Sequence, residues 1–235
     1  MTAIVLDTET TGLDAPDVIS LATSELLPAP DTNLVSARCV LRSFKPRKPI
    51  SYAAMATHHI IPEDVEFAEE WPGSWPTPPG VEYLVGHNVD YDWKAIGSPH
   101  VARICTLALS RWIWPDLESH SLGALIYFLM PPPEARKLLQ RAHAADQDVY
   151  LCLLVLQHIL YARPLVSWHQ VWAASEKARV PTRFAFGKYG PKDGKPGQLI
   201  ADVRRQDPGY IRWCLGVPDF ANDSYLAKAL RGEAA

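Results

Sequence analysis

The first ten residues place two acidic side chains at the end of an apolar run. Residues 3–7 read A-I-V-L-D, which is typical of a short buried strand. Because alternate residues of a strand point to the same face, Asp7 and Glu9 present two carboxylates side by side where this strand ends. Adjacent carboxylates repel each other unless a cation lies between them. The pattern therefore predicts a metal site or, as the simpler alternative, a turn-capping Asp beside a solvated Glu.

The segments that follow predict an α/β fold with a mixed sheet flanked by helices. Strands are expected at residues 3–7, 18–27, 35–44, 83–86 and 102–106. Helices are expected at residues 52–60, 107–113, 122–130, 143–161, 166–177 and 207–215. The prolines at 131–133 are expected to stop one helix, and Pro208 is expected to begin another. Strands first, then strands interleaved with helices, favour a mixed sheet over a bundle or a sandwich.

Composition excludes several classes of protein. The chain has 235 residues, of which 48% are hydrophobic, with eight Trp, nine Tyr and six Phe, so disorder is excluded as its main state. Its most apolar stretch, residues 149–162, is too short to cross a bilayer, and no secretory signal precedes the first strand. The four cysteines stand apart without a C-x-x-C pair, which favours a reduced, cytoplasmic location.

Charge is distributed unevenly along the chain. Residues 1–176 contain 12 Lys and Arg against 20 Asp and Glu, whereas residues 177–212 contain nine against three. We therefore predict a main domain over residues 1–165, followed by a helical linker and a small basic C-terminal module over residues 166–235. A basic segment suits a polyanion, and the alternative is a solvated tail.

Two further polar segments could complete a site with Asp7 and Glu9. Residues 86–92 read G-H-N-V-D-Y-D and run from a predicted strand into a helix, so Asp90 or Asp92 could point back at the same sheet edge. Residues 143–148 read H-A-A-D-Q-D at the start of the long helix, where small Ala residues allow close packing on the sheet. An exposed acidic helix start would explain an Asp there, but not a His.

These three segments, taken in order, resemble a known family. The patterns D-x-E-T-T-G, H-N-x-x-Y-D and H-x-A-x-x-D are similar to the three motifs of the DEDDh superfamily of 3′→5′ exonucleases. The resemblance selects Asp92 over Asp90 and Asp148 over Asp146. It implies a ribonuclease H-like fold and an exonuclease domain. Segments on both sides of the motifs, and the tail, resemble one member of that superfamily over nearly the whole chain.

The resemblance implies a catalytic set of five residues: Asp7, Glu9, Asp92, His143 and Asp148. Four carboxylates form an all-oxygen site that suits two Mg²⁺ or Mn²⁺ ions rather than zinc. A pair of ions can stabilise both the attacking and the leaving oxygen of a displacement at phosphorus. His143 is the expected general base, because imidazole can accept a proton near neutral pH.

The expected substrate is DNA with a free 3′ end, single-stranded or duplex. The residues expected to hold the terminal nucleotide are Thr10, Gly12, Leu13, His58, Ile60 and Asn88. The expected phosphate contacts in the basic module are Lys188, Lys192, Lys195, Arg204 and Arg205. An exoribonuclease that trims RNA and a catalytically silent nucleic-acid-binding protein are the alternatives, and no membrane partner is expected.

Overall fold

The computed structural model describes residues 2–26, 30 and 38–233, and these form two compact units. The first unit ends at Ser175 and the second begins at Glu176. Most of the helix that follows residue 165, the predicted end of the main domain, therefore belongs to the first unit. No helix in the described part of the chain is both long and apolar enough to cross a membrane.

One six-stranded sheet forms the centre of the first unit. Its strands are β1 (Thr2–Thr10), β2 (Val18–Glu25), β3 (Cys39–Lys45), β4 (Glu69–Glu70), β5 (Val81–Gly86) and β6 (Ala102–Cys105). Their order across the sheet is β4-β3-β2-β1-β5-β6. Strands β1, β2 and β3 are antiparallel neighbours, while β5 joins β1 in parallel and β6 joins β5 in parallel. This is the ribonuclease H-like mixed sheet that the sequence predicts.

Strand β1 lies in the middle of the sheet and carries the first motif. Its residues 3–6 are all buried, as expected for an apolar run covered on both faces. Val5 pairs with Val85 of β5 on one side, and Asp7 pairs with Ala22 of β2 on the other. The register with β2 shifts between Glu9 and Thr10. The acidic residues thus stand at the end of a strand fixed from both sides.

The described residues of the first unit also form seven α-helices, the last of which ends at Arg179, beyond the boundary at Ser175. They are α1 (Tyr52–His58), α2 (Asp90–Ala95), α3 (Thr106–Ile113), α4 (Leu122–Leu129), α5 (Pro132–Leu138), α6 (Ala145–Ala162) and α7 (Trp168–Arg179). Helix α6 packs on β1, β2 and β3, and α3 and α4 pack on α6. Helix α2 packs on β1. The second and third motifs therefore lie on elements that contact the strand of the first.

Several predicted boundaries differ from the structure. Leu27 and residues 35–37, at the ends of two predicted strands, lie outside the described residues. The prolines at 131–133 follow the end of α4 at Leu129, as predicted, but a further helix that was not predicted, α5, begins at Pro132. Proline is tolerated in a first helical turn, where its missing N–H would have no partner. Helix α6 begins at Ala145, so His143 precedes the helix instead of lying on it.

The second unit has a small core of its own. Its further helices are α8 (Ile200–Gln206), α9 (Pro208–Gly216), α10 (Pro218–Asn222) and α11 (Ser224–Arg231). Phe184, Val203 and Leu230 are buried together in that core. The Asp207 side chain accepts a hydrogen bond from the Tyr210 N–H and caps α9, with Pro208 in the first position as the sequence predicts. Helices α8, α10 and α11 were not predicted.

Candidate metal centre and adjoining cavity

Three carboxylates of the first unit converge at the end of β1. Asp7 and Glu9 come from the strand, and Asp148 comes from the first turn of α6. One oxygen atom from each of the three lies within 4.8 Å of the others. Glu9 is buried, while Asp7 and Asp148 are partly exposed. Alternation along β1 and the packing of α6 on that strand explain why the three meet.

Asp92 is the fourth carboxylate, and a residue of the first motif holds it in place. Its Oδ1 accepts hydrogen bonds from the Thr8 N–H, at 3.0 Å, and from the Thr8 hydroxyl, at 2.7 Å. Asp92 is 4% exposed, and its negative charge raises the pKa of Asp7. Asp90, two residues earlier, forms an ion pair with Arg103 at 2.5 Å instead. The structure therefore places Asp92 beside the other carboxylates and Asp90 in a separate contact.

The third motif separates its two acidic residues in the same way. Asp146 accepts hydrogen bonds from the Arg141 guanidinium at 2.9 and 3.1 Å, whereas Asp148 points to Asp7 and Glu9. His143 is exposed and has a backbone φ of 65°, a left-handed conformation that is uncommon for a residue other than glycine. Its N–H donates to the Asp148 carboxylate over 3.3 Å. This turn brings His143 to the edge of the carboxylate group.

Burial raises the pKa values of all four carboxylates, and neighbouring negative charges raise them further. Burial raises the pKa of Asp7 well above its usual range, and the charges of Asp92, Asp148 and Glu9 raise it further. Burial, followed by the charges of Asp148 and Asp92, raises the pKa of Glu9 to about 8. Burial raises the pKa of Asp92 to about 7, although the hydrogen bonds from Thr8 oppose it. Burial raises the pKa of Asp148, and the hydrogen bond from the backbone N–H of His143 lowers it in part.

The donor set fits a hard divalent cation. Among residues 2–26, 30 and 38–233, no Lys or Arg forms an ion pair with any of the four carboxylates. Ionised carboxylates held this close repel each other unless a cation offsets their charge. Carboxylate oxygens are the ligands that Mg²⁺ and Mn²⁺ prefer. Asp7, Glu9, Asp92 and Asp148 could therefore hold such ions.

A cavity of about 280 Å³ lies beside Glu9, and we call it the Leu13 cavity. Its walls include Glu9, Leu13, Ala54, His58 and Tyr91, and they are largely apolar. The volume is near the lower end of the range for small-molecule sites, about 300 to 1,000 Å³. An apolar pocket that adjoins a carboxylate group can hold a flat, apolar group of a ligand while the acidic end addresses its polar part.

His58 connects α1 to the end of β1. Its Nδ1 accepts from the Ile60 N–H at 3.0 Å, so its Nε2 carries the proton and donates to the Thr10 carbonyl at 3.2 Å. Burial lowers the pKa of His58, which favours this neutral form. The Ser51 N–H donates to the Thr11 carbonyl and adds a second connection. The wall of the Leu13 cavity is therefore fixed to the strand that carries Asp7 and Glu9.

Tyr91 fixes the loop that carries Leu13. Its hydroxyl donates to the Gly12 carbonyl at 2.7 Å and also contacts the Thr10 hydroxyl. Leu13 itself is 89% exposed. The structure therefore holds Leu13 at the mouth of the cavity by restraining the backbone behind it.

The predicted substrate residues divide into two groups. Thr10, Gly12, Leu13 and His58 line the Leu13 cavity. Ile60 and Asn88 are not among its lining residues. Ile60 packs against the buried cluster of Ile19, Ile50 and Val65, and Asn88 is exposed in a turn with a backbone φ of 70°. That turn leads from β5 into α2.

Sequence reasoning missed two residues that organise the site, Thr8 and Tyr91. Thr8 lies between Asp7 and Glu9, and its role depends on the distant residue Asp92, so no local pattern indicates it. Tyr91 stands directly before Asp92 in the second motif, and an aromatic residue at that place was a usable signal.

The five residues predicted to contact phosphate in the second unit differ in whether their side chains already contact another residue. Lys188 pairs with Asp207 at 2.9 Å, and Arg205 pairs with Asp202 at 2.5 Å. The Arg204 guanidinium lies against Gly232 and leaves no room for a side chain at that position. Lys192 and Lys195 are exposed and face each other across a tight turn, with backbone hydrogen bonds of 3.1 and 2.9 Å. The central residues of that turn, Asp193 and Gly194, both have positive φ, which is typical of a type I′ turn.

Comparisons with curated proteins support the predicted resemblance. Exodeoxyribonuclease 10 of Escherichia coli (strain K12) is 28% identical to this chain over 221 residues, which cover 89% of this chain and 88% of that protein. No family model matches the chain. The similarity extends over most of both proteins, so it includes more than the three motifs.

Solved structures give the same result. Exonuclease X in complex with 5′ overhanging duplex DNA matches with a TM-score of 0.60 and 26% identity, covering 74% of this chain and 99% of that chain. E. coli exonuclease I in complex with a dT13 oligonucleotide matches with a TM-score of 0.51 and 16% identity, covering 69% of this chain and 42% of that one. The second likeness shows the fold alone. The predicted resemblance to DEDDh-type exonucleases, and to exonuclease X among them, is confirmed.

Proposed function

We propose that this protein is a metal-dependent 3′→5′ exodeoxyribonuclease that releases 5′ mononucleotides and acts in DNA repair or end processing. The observation that carries the proposal is the convergence of Asp7, Glu9 and Asp148 within 4.8 Å, next to the Leu13 cavity. Asp92, held by Thr8, completes the group. The similar proteins support a DNA substrate, because one is named an exodeoxyribonuclease and another was solved with duplex DNA.

Asp7, Glu9, Asp92 and Asp148 would hold two Mg²⁺ or Mn²⁺ ions. When bound, such ions offset negative charge on both the attacking and the leaving oxygen of a displacement at phosphorus. Thr8 keeps Asp92 oriented, because its N–H and hydroxyl occupy one oxygen of that carboxylate and leave the other available. The protein thus supplies a rigid oxygen-donor set at the end of a strand that is paired on both sides.

His143 is the proposed general base. In the reaction, the oxygen of water bonds to the terminal phosphorus, and the bond from phosphorus to the 3′ oxygen of the preceding nucleotide breaks. That oxygen takes a proton from solvent and becomes the new 3′ hydroxyl. The proton lost by the water passes to the His143 imidazole, which stands exposed at the edge of the carboxylates and can release it to solvent. The hydrogen bond from the backbone N–H of His143 to the Asp148 carboxylate fixes the position of His143 relative to the acidic residues.

The Leu13 cavity is the proposed site of the 3′-terminal nucleotide. Its apolar walls suit stacking on a base of any identity, so little base preference is expected. Leu13 is exposed and would gain buried area when a base covers it. Ile60 and Asn88, expected from the resemblance to contact the substrate, would act indirectly, Ile60 by supporting α1 and Asn88 by shaping the turn before Asp92.

The test is digestion of single-stranded DNA, duplex DNA and RNA with Mg²⁺, each labelled separately at its 3′ and 5′ ends. We expect the 3′ label to appear first as a mononucleotide from DNA, with no release in EDTA or from the Asp7→Asn variant. Early release of the 5′ label would contradict the polarity. Faster digestion of RNA would favour the exoribonuclease alternative, and binding without any release would favour the silent alternative.

A further inference from the structure

A second cavity, of about 330 Å³, lies on the other side of Leu13 and Tyr91 from the Leu13 cavity. Both side chains line both cavities, so the two are separated by little more than these groups. Arg47, Lys48 and Lys94 line this second cavity, which we call the Lys94 groove. Nothing in the proposed reaction requires basic residues at this place.

The charge of the Lys94 groove is opposite to that of the neighbouring site. It is lined by three cationic side chains and one carboxylate, Asp17, whereas the Leu13 cavity is lined by Glu9 and adjoins the other acidic residues. Asp17 is 1% exposed and accepts from the Arg47 N–H, the Arg47 guanidinium and the Lys48 N–H. Burial would raise the pKa of Asp17, but the hydrogen bonds from Arg47 outweigh it and lower the pKa.

Asp17 therefore organises the chain that carries two of the cations. Arg47 remains half exposed while it binds Asp17, and the Lys48 ammonium donates to the Ala15 carbonyl at the rim. Lys94 is exposed on α2, and among the described residues no carboxylate pairs with it. Trp71, which is 2% exposed, adds a rigid apolar wall. The result is a preformed concave surface with an available ammonium group.

A DNA strand that enters the acidic site needs cations elsewhere along its backbone. Phosphates repel carboxylates, and bound metal ions offset that repulsion only at the phosphate under attack. Lys and Arg side chains that contact other phosphates supply most of the sequence-independent affinity of nucleic-acid-binding proteins. In the first unit, the Lys94 groove offers such side chains directly next to the Leu13 cavity.

We propose that the Lys94 groove binds a backbone phosphate of DNA that lies across Leu13 from the catalytic carboxylates. The inference rests on the proposed exonuclease function and adds to it a subsite outside the terminal nucleotide. Lys94 is the main contact, and Lys48 and Arg47 add to the positive potential. The phosphate belongs either to the strand being cleaved or to its complement, and both present the same phosphodiester chemistry.

The experiment compares Lys94→Glu with Arg163→Glu, which makes the same change of charge. Arg163 is exposed just after α6, roughly 27 Å along that 18-residue helix from its first turn at 1.5 Å per residue. The affinity of the full-length protein for a labelled single-stranded oligonucleotide and for a duplex with a 5′ overhang is measured in EDTA, between 50 and 200 mM salt. Lys94→Gln is measured in parallel as a milder variant, and thermal unfolding verifies that each protein is folded.

We expect Lys94→Glu to weaken binding and to make the dependence of log affinity on log salt shallower by about 0.7 to 0.9, the contribution of one phosphate contact. Lys94→Gln should reduce the slope similarly with a smaller loss of affinity, and Arg163→Glu should change neither. Loss with both DNAs assigns the phosphate to the cleaved strand, and loss with the duplex alone assigns it to the complement.

Equal slopes for Lys94→Glu, Lys94→Gln and Arg163→Glu on both DNAs would overturn the proposal. Failure of the proposed function has a different signature, because the wild-type protein would then release no nucleotide with Mg²⁺. A wild-type protein that cleaves DNA while the Lys94 variants bind like the control contradicts the groove and leaves the exonuclease proposal intact.

Discussion

Among the described residues of the first unit, no basic side chain pairs with the four carboxylates that share one site, whereas in the second unit many charged side chains are paired. Lys188 binds Asp207, and Arg205 binds Asp202. The formal basic charge of the tail is therefore partly used in holding that unit together. The number of charged residues in a stretch of sequence does not distinguish these two situations. The residues that each charged group contacts in the structure do distinguish them. Like charges held together without counter-ions indicate function, and matched pairs indicate structure.

The largest effect that can test this contrast is the loss of one proposed metal ligand. Asp7→Asn should abolish nucleotide release, because it replaces an anionic carboxylate of the group with a neutral amide that holds a divalent cation much more weakly. In EDTA its thermal unfolding midpoint should hold or rise, because one source of repulsion has gone. Both are measured on the same preparation by nucleotide release and by thermal unfolding. Near-normal release would contradict the assignment of Asp7.

The acidic pairs of the second and third motifs provide matched controls for this experiment. Asp92→Asn and Asp148→Asn should be inactive, like Asp7→Asn. Asp90→Asn and Asp146→Asn remove carboxylates that bind Arg103 and Arg141, so they should keep most of the activity. An Asp90→Asn variant that is folded but inactive would contradict the choice of Asp92 over Asp90 as the fourth ligand.

The second largest effect should come from the proposed base. His143→Ala should slow nucleotide release by about 10² to 10⁴, the usual contribution of a general base, and leave DNA affinity nearly unchanged. The deficit should shrink as pH rises, because water then loses a proton with less help. The measurement is a pH-rate profile of both proteins. Profiles of identical shape would show that His143 does not take the proton.

The main features of the fold and the meeting of carboxylates at the end of β1 could be predicted because short-range patterns carry them. Alternation along β1 places Asp7 and Glu9 on one face, and that relation needs no knowledge of the rest of the chain. The choice of Asp92 over Asp90 needed the family motif, since the residues that decide it, Thr8 and Arg103, are distant or on another element. Contacts of this kind depend on the pairing of β1 with β5, which a local pattern does not contain.

The second unit was predicted less well for a related reason. The cap of α9 at Asp207 is local and was predicted, but α10 and α11 are short, with five and eight residues. Helices this short are marginal in isolation and exist here because their apolar residues pack into a shared core. The tight turn between Lys192 and Lys195 was not predicted, although Asp193 and Gly194 are typical of its geometry.

A smaller effect is expected from removing the basic tail. Residues 178–235 contain ten Lys and Arg against six Asp and Glu, and their removal leaves all five proposed catalytic residues. The cut retains Ser175, whose hydroxyl accepts from the Cys105 N–H. The shortened protein should still digest a short oligonucleotide, but bind long DNA more weakly, with lower processivity and a flatter salt dependence. Equal salt slopes with and without the tail would show that it does not bind DNA.

Two double variants of the full-length chain compare basic residues that are exposed with basic residues that are held in ion pairs. Lys192→Gln with Lys195→Gln removes two charges from the exposed turn, and Lys188→Gln with Arg205→Gln removes two charges from ion pairs. The first double variant should lower the salt slope by up to about 0.7 to 0.9 per contact, and the second by less. The reverse order would mean that the ion pairs open when DNA binds.

The smallest effect concerns the stability of the metal-free protein. The pKa of Glu9 is about 8 and that of Asp92 about 7 in the folded state, both raised from usual values near 4. Between pH 4 and 8, the folded state therefore binds more protons at these residues than the unfolded state does. Stability contributed in this way is complete below about pH 4 and is lost as pH rises through the folded-state values.

Glu9→Gln isolates this contribution, because glutamine does not titrate. In EDTA, the thermal unfolding midpoint of Glu9→Gln minus that of the wild type should increase between pH 5 and pH 8. A change of about 2 to 4 °C is expected for each kcal/mol in a chain of this size. Mg²⁺ should reverse the trend in the wild type, because a bound cation favours the ionised carboxylates. Asp146→Asn is the control, since its carboxylate is paired with Arg141. If the difference in unfolding midpoint between Glu9→Gln and the wild type does not vary with pH, Glu9 is ionised throughout this range. A protein group would then already offset the negative charge that we propose metal ions offset.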